Sequence, residues 1–325
     1  MHSSAHPDQR SRRRARRTVA RTALAAALTI AGTCLPAGPA AAEDPDPLLV
    51  PWNTLLPGLS AGHDPSSSDV CRSGQLRCVD AVIREMQRRW APLDRDCSHR
   101  AVFSLLYLRT TEAYREAART PGFFADPGWV NHYDAVFARY YFDQEDLWRA
   151  GRTREVAPAW RTAFEAADTR GVVGLGDVLL GMNGHINRDL PFVLAEIGLV
   201  APDGTSRKPD HDRVYEFLNA AAESQLAEVA RRYDPTADDA DVPGTTLDAT
   251  AAFQLVQTWR EVSWRNAERL VAARRLGPAA YAATAASVEA YAAAEARAIA
   301  TATADLLPGT AERREAWCRT HREPL

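Results

Sequence analysis

Residues 171–199 carry the densest group of side chains suited to chemistry: His185, Arg188 and Asp189. They lie in a long, mainly apolar stretch whose pattern is typical of a buried helix, where charge is costly unless it is paired or used. At about 100° per residue these three residues share one helix face with Asp177. His185 and Asp189, at i and i+4, could form a catalytic acid/base pair or two metal ligands, with Arg188 steering an anionic group.

This segment admits two interpretations. In the first, His185, Asp189 and Arg188 are catalytic, and Asp177 binds a ligand beside them. In the second, they form a buried ionic network that only stabilises the fold. Asn183 and Asn187 face roughly the opposite way. We therefore expect these two amides to serve a separate binding role, such as hydrogen bonding to neighbouring backbone.

A second polar stripe lies in residues 128–150, where His132, Arg139 and Asp143 recur at helical spacing. Tyr133, Phe137 and Tyr140 form an adjacent aromatic stripe that is typical of a core. If the polar stripe faced the first segment, His132 and Asp143 would complete its site. The metal-ligand set would then be His185, Asp189 and His132, with a divalent metal as cofactor. The alternative is a solvated helix face.

Two further segments carry weaker signals. In residues 259–270, Arg260 and Trp264 share a helix face, and Trp264 is a candidate binding residue. The Asp210-His211-Asp212 run follows Pro209 and resembles a metal-binding His-Asp pair, but acidic residues at a helix start usually complement its dipole. The sequence has no serine nucleophile elbow, phosphate-binding loop or dinucleotide fingerprint, which disfavours those enzyme classes.

The N-terminus has the three zones of an export signal: seven arginines, an apolar run from Thr22 to Leu35, and Ala40-Ala41-Ala42. We expect cleavage after residue 42 and a secreted, extracellular protein. The first 42 residues hold seven of the 39 basic groups and one of the 42 acidic groups, so the remainder carries a net charge of −9. This charge disfavours a nucleic-acid partner, and no later apolar run reaches the length of a membrane span.

Four cysteines remain beyond the signal: Cys71, Cys78, Cys97 and Cys318. An even number in an exported chain favours two disulfides over the competing zinc site. We expect the pairs Cys71–Cys78 and Cys97–Cys318, the second joining the last helix to an early one.

Helical patterns dominate beyond an irregular arm at 43–70, while strand patterns are nearly missing, so residues 71–325 are predicted to form one all-α bundle of eight or nine helices. Prolines and glycines mark several boundaries, and the polar stretch 233–244 is the clearest loop. The candidate helices are 77–90, 98–119, 127–150, 155–168, 171–199, 210–233, 247–275, 278–305 and 309–320.

The chain resembles the uncharacterised bacterial family DUF5995 in GMNGHINRDLP (181–191), GFFADPGWVNHYDAVFARYYFD (122–143), DHDRVYEFL (210–218) and WREVSWRNAERL (259–270). Its cysteine-containing start is similar to the exported branch of that family. The resemblance implies an all-α fold and supplies no activity. The residues themselves favour an extracellular hydrolase, metal-dependent or acid/base, acting on a small-molecule or envelope-derived ligand. The alternative is a non-catalytic extracellular binding or envelope-associated protein.

Overall fold

The computed structural model describes residues 62–235, 237, 247–306, 308–321 and 323. The expected export signal and most of the expected arm fall outside these residues, as does most of the expected loop 233–244. The described end of the arm, residues 62–70, consists of turns and bends.

Nine helices form the described part of the chain, and the only strand-like pairing in it is two isolated bridges. The helices are α1 (Leu76–Arg95), α2 (Arg100–Ala118), α3 (Pro127–Arg149), α4 (Pro158–Thr169), α5, α6 (Lys208–Arg232), α7 (Leu247–Leu276), α8 (Pro278–Ala302) and α9 (Thr310–His321). Helix α5 is continuous but composite, with α-helical Gly174–Asn183, a π-helical turn Gly184–Asp189 and α-helical Leu190–Ile197. The all-α prediction is confirmed, and none of the described helices is long and apolar enough to cross a membrane.

Prolines set several helix starts, as expected from their fixed φ and missing N–H. Pro127 opens α3 after Asp126, whose carboxylate accepts a hydrogen bond from the Trp129 amide at 3.0 Å. Helix α1 is longer than predicted, since it continues through Pro92 to Arg95. Pro92 lies in the last turn, where it removes one hydrogen bond but still accepts one from the Asp96 amide at 3.1 Å.

Helix α5 lies at the centre of the bundle, where it packs against α2, α3, α4, α7 and α8. Two glycines allow this close packing. A Cβ atom at Gly181 would lie 2.2 Å from the ring of Phe103 on α2, and one at Gly184 would lie 2.8 Å from the indole of Trp160 on α4. Because these two positions lack a side chain, α5 can approach α2 and α4 closely.

Both expected disulfides are present. Cys71 pairs with Cys78 at a Cα–Cα distance of 5.0 Å, and Cys97 pairs with Cys318 at 5.9 Å. The second bond joins α9 to the end of α1 across 221 positions of sequence. Disulfides, and not a zinc site, therefore account for the four cysteines beyond the expected signal.

Candidate functional site

A cavity of about 190 Å³ lies between α2, α3, α5, α6 and α7. Its wall is mostly apolar and includes Phe103, Phe137, Leu179, Phe217 and Val256. The side of the cavity formed by α6 includes the exposed residue Glu223, so the cavity reaches the surface there. Apolar concave sites with a few polar groups are the usual form of a small-molecule site.

Four polar atoms of cavity-lining residues are buried without a hydrogen-bond partner: the Tyr107 hydroxyl, Oδ2 of Asp134, Nε2 of His185 and Nε2 of Gln225. Most buried polar side-chain atoms have such a partner in protein or ordered water, so an unpaired one needs an explanation. Burial raises the pKa of Tyr107 well above its usual value, which keeps its hydroxyl protonated. The cavity thus offers several polar atoms to whatever occupies it.

His185 connects the cavity to a buried carboxylate. Its Nδ1 lies 3.4 Å from Oδ2 of Asp189, and its ring stacks on Phe137 with centroids 3.4 Å apart and planes at 8°. Burial lowers the pKa of His185 against the opposing effect of Asp189, so the imidazole is neutral near pH 7. The nearby carboxylate favours the proton on Nδ1, which leaves Nε2 as an acceptor.

Asp189 and Arg188 belong to an ionic network on the far side of His185. Asp189 accepts hydrogen bonds from Trp160 Nε1 at 2.9 Å and from Arg188 Nη1 at 2.9 Å. Arg188 Nε in turn donates to Glu289 on α8 at 2.8 Å. Neither Asp189 nor Arg188 lines the cavity. Of the three residues predicted to be catalytic, only His185 reaches the cavity, with Asp189 directly behind it.

Asp134 is the carboxyl group on the α3 wall of the cavity. Burial raises its pKa to about 8, and no neighbouring cation opposes the effect. The group is therefore mainly protonated at pH 7. A protonated carboxyl can donate a hydrogen bond as well as accept one.

Arg260 of α7 forms the cationic part of the wall and is only 5% exposed. Its Nη2 donates to the backbone oxygen of His211 at 2.7 Å and lies 3.3 Å from Nδ1 of the same residue. Burial raises the pKa of the Tyr133 hydroxyl while Arg260 opposes the rise, which places the guanidinium near Tyr133 as well. Burial lowers the pKa of His211 well below its usual value, so the neutral ring adds no second charge.

Asp177 does not belong to the ionic network of Arg188 and Asp189. Asp177 instead pairs with Arg314 of α9 at 2.9 Å and lies 3.5 Å from Nδ1 of His99. Asp177 and Arg188 are 11 positions apart in the sequence, about 16 Å along a helix axis, so they meet different neighbouring helices.

His132 does not join His185 and Asp189. Its Nδ1 lies 3.0 Å from the carbonyl oxygen of Cys71, beside the first disulfide. Phe137, which stacks on His185, lies about 140° around α3 from His132. The described residues contain no group of three or more His, Cys, Asp or Glu side chains placed to hold a metal. The three-ligand set predicted from the sequence is therefore not assembled.

The other residues expected to bind a ligand also lie away from the cavity lining. Asn183 donates to the Ala292 backbone oxygen at 2.9 Å, and Asn187 donates to Asn183 at 2.9 Å. These amides hold α5 to α8, in line with the expected bonding to neighbouring backbone. Asp143 forms an ion pair with Arg139 at 2.7 Å within α3. Trp264 Nε1 donates a hydrogen bond to Glu268 at 2.9 Å within α7.

Sequence reasoning missed Asp134 and Tyr107 as site residues. Asp134 shares a helix face with Val130 and Phe137, at i−4 and i+3, and is the polar member of an apolar stripe. That mismatch was the available signal, since a carboxyl on an apolar face needs a partner or a function. Tyr107 carried no signal, because a tyrosine among aromatic neighbours resembles an ordinary core residue.

The fold and site define an all-α, disulfide-bonded protein that encloses an apolar cavity with a few polar groups. The chain belongs to DUF5995, a family of unknown function, whose model matches residues 79–302. This segment includes every cavity-lining residue named above. Neither a curated protein nor a solved structure matches the chain.

Proposed function

We propose that this protein is an exported binding protein that holds a small, mainly apolar molecule in the cavity. The proposal depends chiefly on the unpaired Tyr107 hydroxyl, Asp134 Oδ2 and His185 Nε2 in a mainly apolar wall. A ligand with one polar end would satisfy such atoms while its apolar part leaves water. The cavity volume of about 190 Å³ exceeds that of an engineered cavity of about 150 Å³ that binds benzene.

Two observations support export. The N-terminal arginines, apolar run and Ala40-Ala41-Ala42 follow the pattern of a signal peptide. The two disulfides are stable in oxidising compartments and rare in the cytosol. Mass spectrometry of culture medium should find a chain that begins near Glu43, and recovery of only the uncleaved chain from the cytosol would contradict export.

Octanamide is a suitable first probe, because it combines an apolar tail with an uncharged polar end. Titration calorimetry should detect binding by the wild type and loss of binding in Ala222→Trp, whose indole would fill the cavity from α6. Ala220→Trp is the matched control, since Ala220 lies on the same helix but is exposed and away from the cavity lining. The proposal fails if octanamide, octanoate and toluene all fail to bind the wild type, or if both variants behave alike.

Acid/base hydrolysis is the second candidate, and the His185–Asp189 pair is the observation in its favour. Asp189 would hold the imidazole, and Nε2 of His185 would accept a proton from water attacking a bound ester or amide. We expect His185→Gln to abolish any hydrolysis of a short acyl ester, whereas Ala220→Trp, away from the cavity lining, should leave it in place. If the wild type hydrolyses the ester no faster than buffer does, the hydrolase function is excluded and only the binding function remains.

A further inference from the structure

Arg260 differs from the other buried arginines in its partners. The described part of the chain buries six arginine side chains: Arg89, Arg188, Arg207, Arg232, Arg260 and Arg314. Five of them have a carboxylate oxygen within 4.0 Å. Arg260 has none among the described residues, and its close contacts are with His211 and Tyr133.

The carboxyl groups of the cavity wall do not neutralise Arg260. Asp134 is mainly protonated at pH 7, because burial raises its pKa to about 8. Oδ2 of Asp134 has no hydrogen-bond partner, and no ion pair within 4.0 Å joins Asp134 to Arg260. Glu223 is exposed to solvent on the α6 side and lies beyond ion-pair distance of Arg260. Among the described residues, therefore, no carboxylate compensates the positive charge of Arg260 in the cavity.

An uncompensated buried charge is costly, and buried charges in proteins are normally paired. A partner supplied by a ligand would meet this requirement. His211 positions the guanidinium through its backbone oxygen and Nδ1, and its neutral ring adds no charge. The guanidinium is planar and presents several donors in a fixed fork, a geometry that matches a carboxylate.

We propose that Arg260 is the anion-binding residue of the cavity and that the ligand is a small carboxylic acid with a compact apolar body. This inference rests on the proposed binding function and names its ligand class. The carboxylate pairs with Arg260, and the apolar body lies among Phe103, Phe137 and Leu179. His211 is a positioning residue that acts through Arg260.

Three ligands of equal chain length separate charge from shape: octanoate, octanamide and octylammonium. The wild type should bind octanoate about tenfold or more tightly than octanamide, because a hydrogen bond to a charged partner is stronger than one to a neutral partner. Octylammonium should bind most weakly. This order is measured on the wild type alone, so the test does not depend on any variant folding.

Arg260→Met keeps the apolar stem and removes the charge, and Arg260→Gln is a second variant that keeps a hydrogen-bond donor. Both should lose the preference and bind octanoate and octanamide with nearly equal affinity. Arg274→Met is the control, since Arg274 is not a cavity-lining residue. It should preserve the preference for octanoate.

The outcomes distinguish this inference from the function on which it rests. Equal wild-type affinity for octanoate and octanamide, or a preference that survives in Arg260→Met and Arg260→Gln, would overturn the carboxylate assignment and leave the cavity as a site for neutral apolar molecules. Failure of both compounds and of toluene to bind would overturn the binding function itself.

Discussion

The indole Nε1 of Trp160 donates a 2.9 Å hydrogen bond to Oδ2 of Asp189, the same carboxylate oxygen that faces His185. Because Arg188 occupies the other oxygen at 2.9 Å, both oxygens of this fully buried carboxylate are engaged. Asp189 therefore joins α4 to the π-helical turn of α5 and also orients the histidine that lines the cavity.

Asp189→Asn should destabilise the fold by about 3–5 kcal/mol, the usual cost of removing one partner from a buried ion pair. The amide would retain little of the attraction for Arg188. Urea unfolding followed by tryptophan fluorescence measures the effect. Asp168→Asn is the control, since Asp168 also accepts a hydrogen bond from a tryptophan, Trp148, at 2.8 Å but is 40% exposed. Its cost should stay below about 1 kcal/mol, and equal effects would contradict the network.

Helix positions were predictable from the sequence because they depend on local signals. Pro127 and Pro278 open α3 and α8 as expected, and Pro158 opens α4 inside the predicted span. The site was less predictable because the turn at Gly184–Asp189 is π-helical, and the sequence gives no clear sign of that change in period. Asp177 was expected beside Arg188, but its partner Arg314 lies on α9, which no helix-face argument could identify. Arg260 was noted only as a neighbour of Trp264, because the absence of a carboxylate partner depends on the tertiary fold.

Asp134 should give the fold a measurable pH dependence. Its pKa is about 8 in the folded protein and near 3.8 in the unfolded chain, so between these values the folded state holds a proton that the unfolded state has lost. Raising the pH through this window therefore favours unfolding. Asp134→Asn removes the effect, so its stability relative to the wild type should rise from pH 4 to pH 8 and then level off.

Urea titrations at pH 4.5, 6, 7.5 and 9 test this dependence as a difference between variant and wild type. The difference is required because burial also raises the pKa values of Asp143 and Asp177 to about 7. Asp96→Asn serves as the control, since Asp96 is 69% exposed and should show no such trend. A constant difference between Asp134→Asn and the wild type would contradict the protonated state assigned to Asp134.

The two disulfides should contribute unequally to stability. Loop closure by Cys97–Cys318 spans 221 positions, against seven for Cys71–Cys78. The chain-entropy relation gives about 5 kcal/mol for the longer loop and about 2–3 kcal/mol for the shorter one. Unfolding of Cys97→Ala/Cys318→Ala and Cys71→Ala/Cys78→Ala, each with the other bond intact, measures both. A larger loss from the short loop would show that local packing outweighs chain entropy.

Arg188 and Arg260 should respond in opposite ways to replacement by methionine. Both are buried, but Arg188 pairs with Asp189 and Glu289 whereas Arg260 has no carboxylate partner among the described residues. Arg188→Met leaves two buried carboxylates without their cation and should cost about 3–5 kcal/mol. Arg260→Met removes an uncompensated charge at the expense of the hydrogen bond to His211, so stability should be unchanged or higher. Urea unfolding at pH 7 in the absence of any carboxylic acid compares the two variants. If Arg260→Met is destabilised as strongly as Arg188→Met, the guanidinium is satisfied by the protein alone and no anionic ligand is needed to explain it.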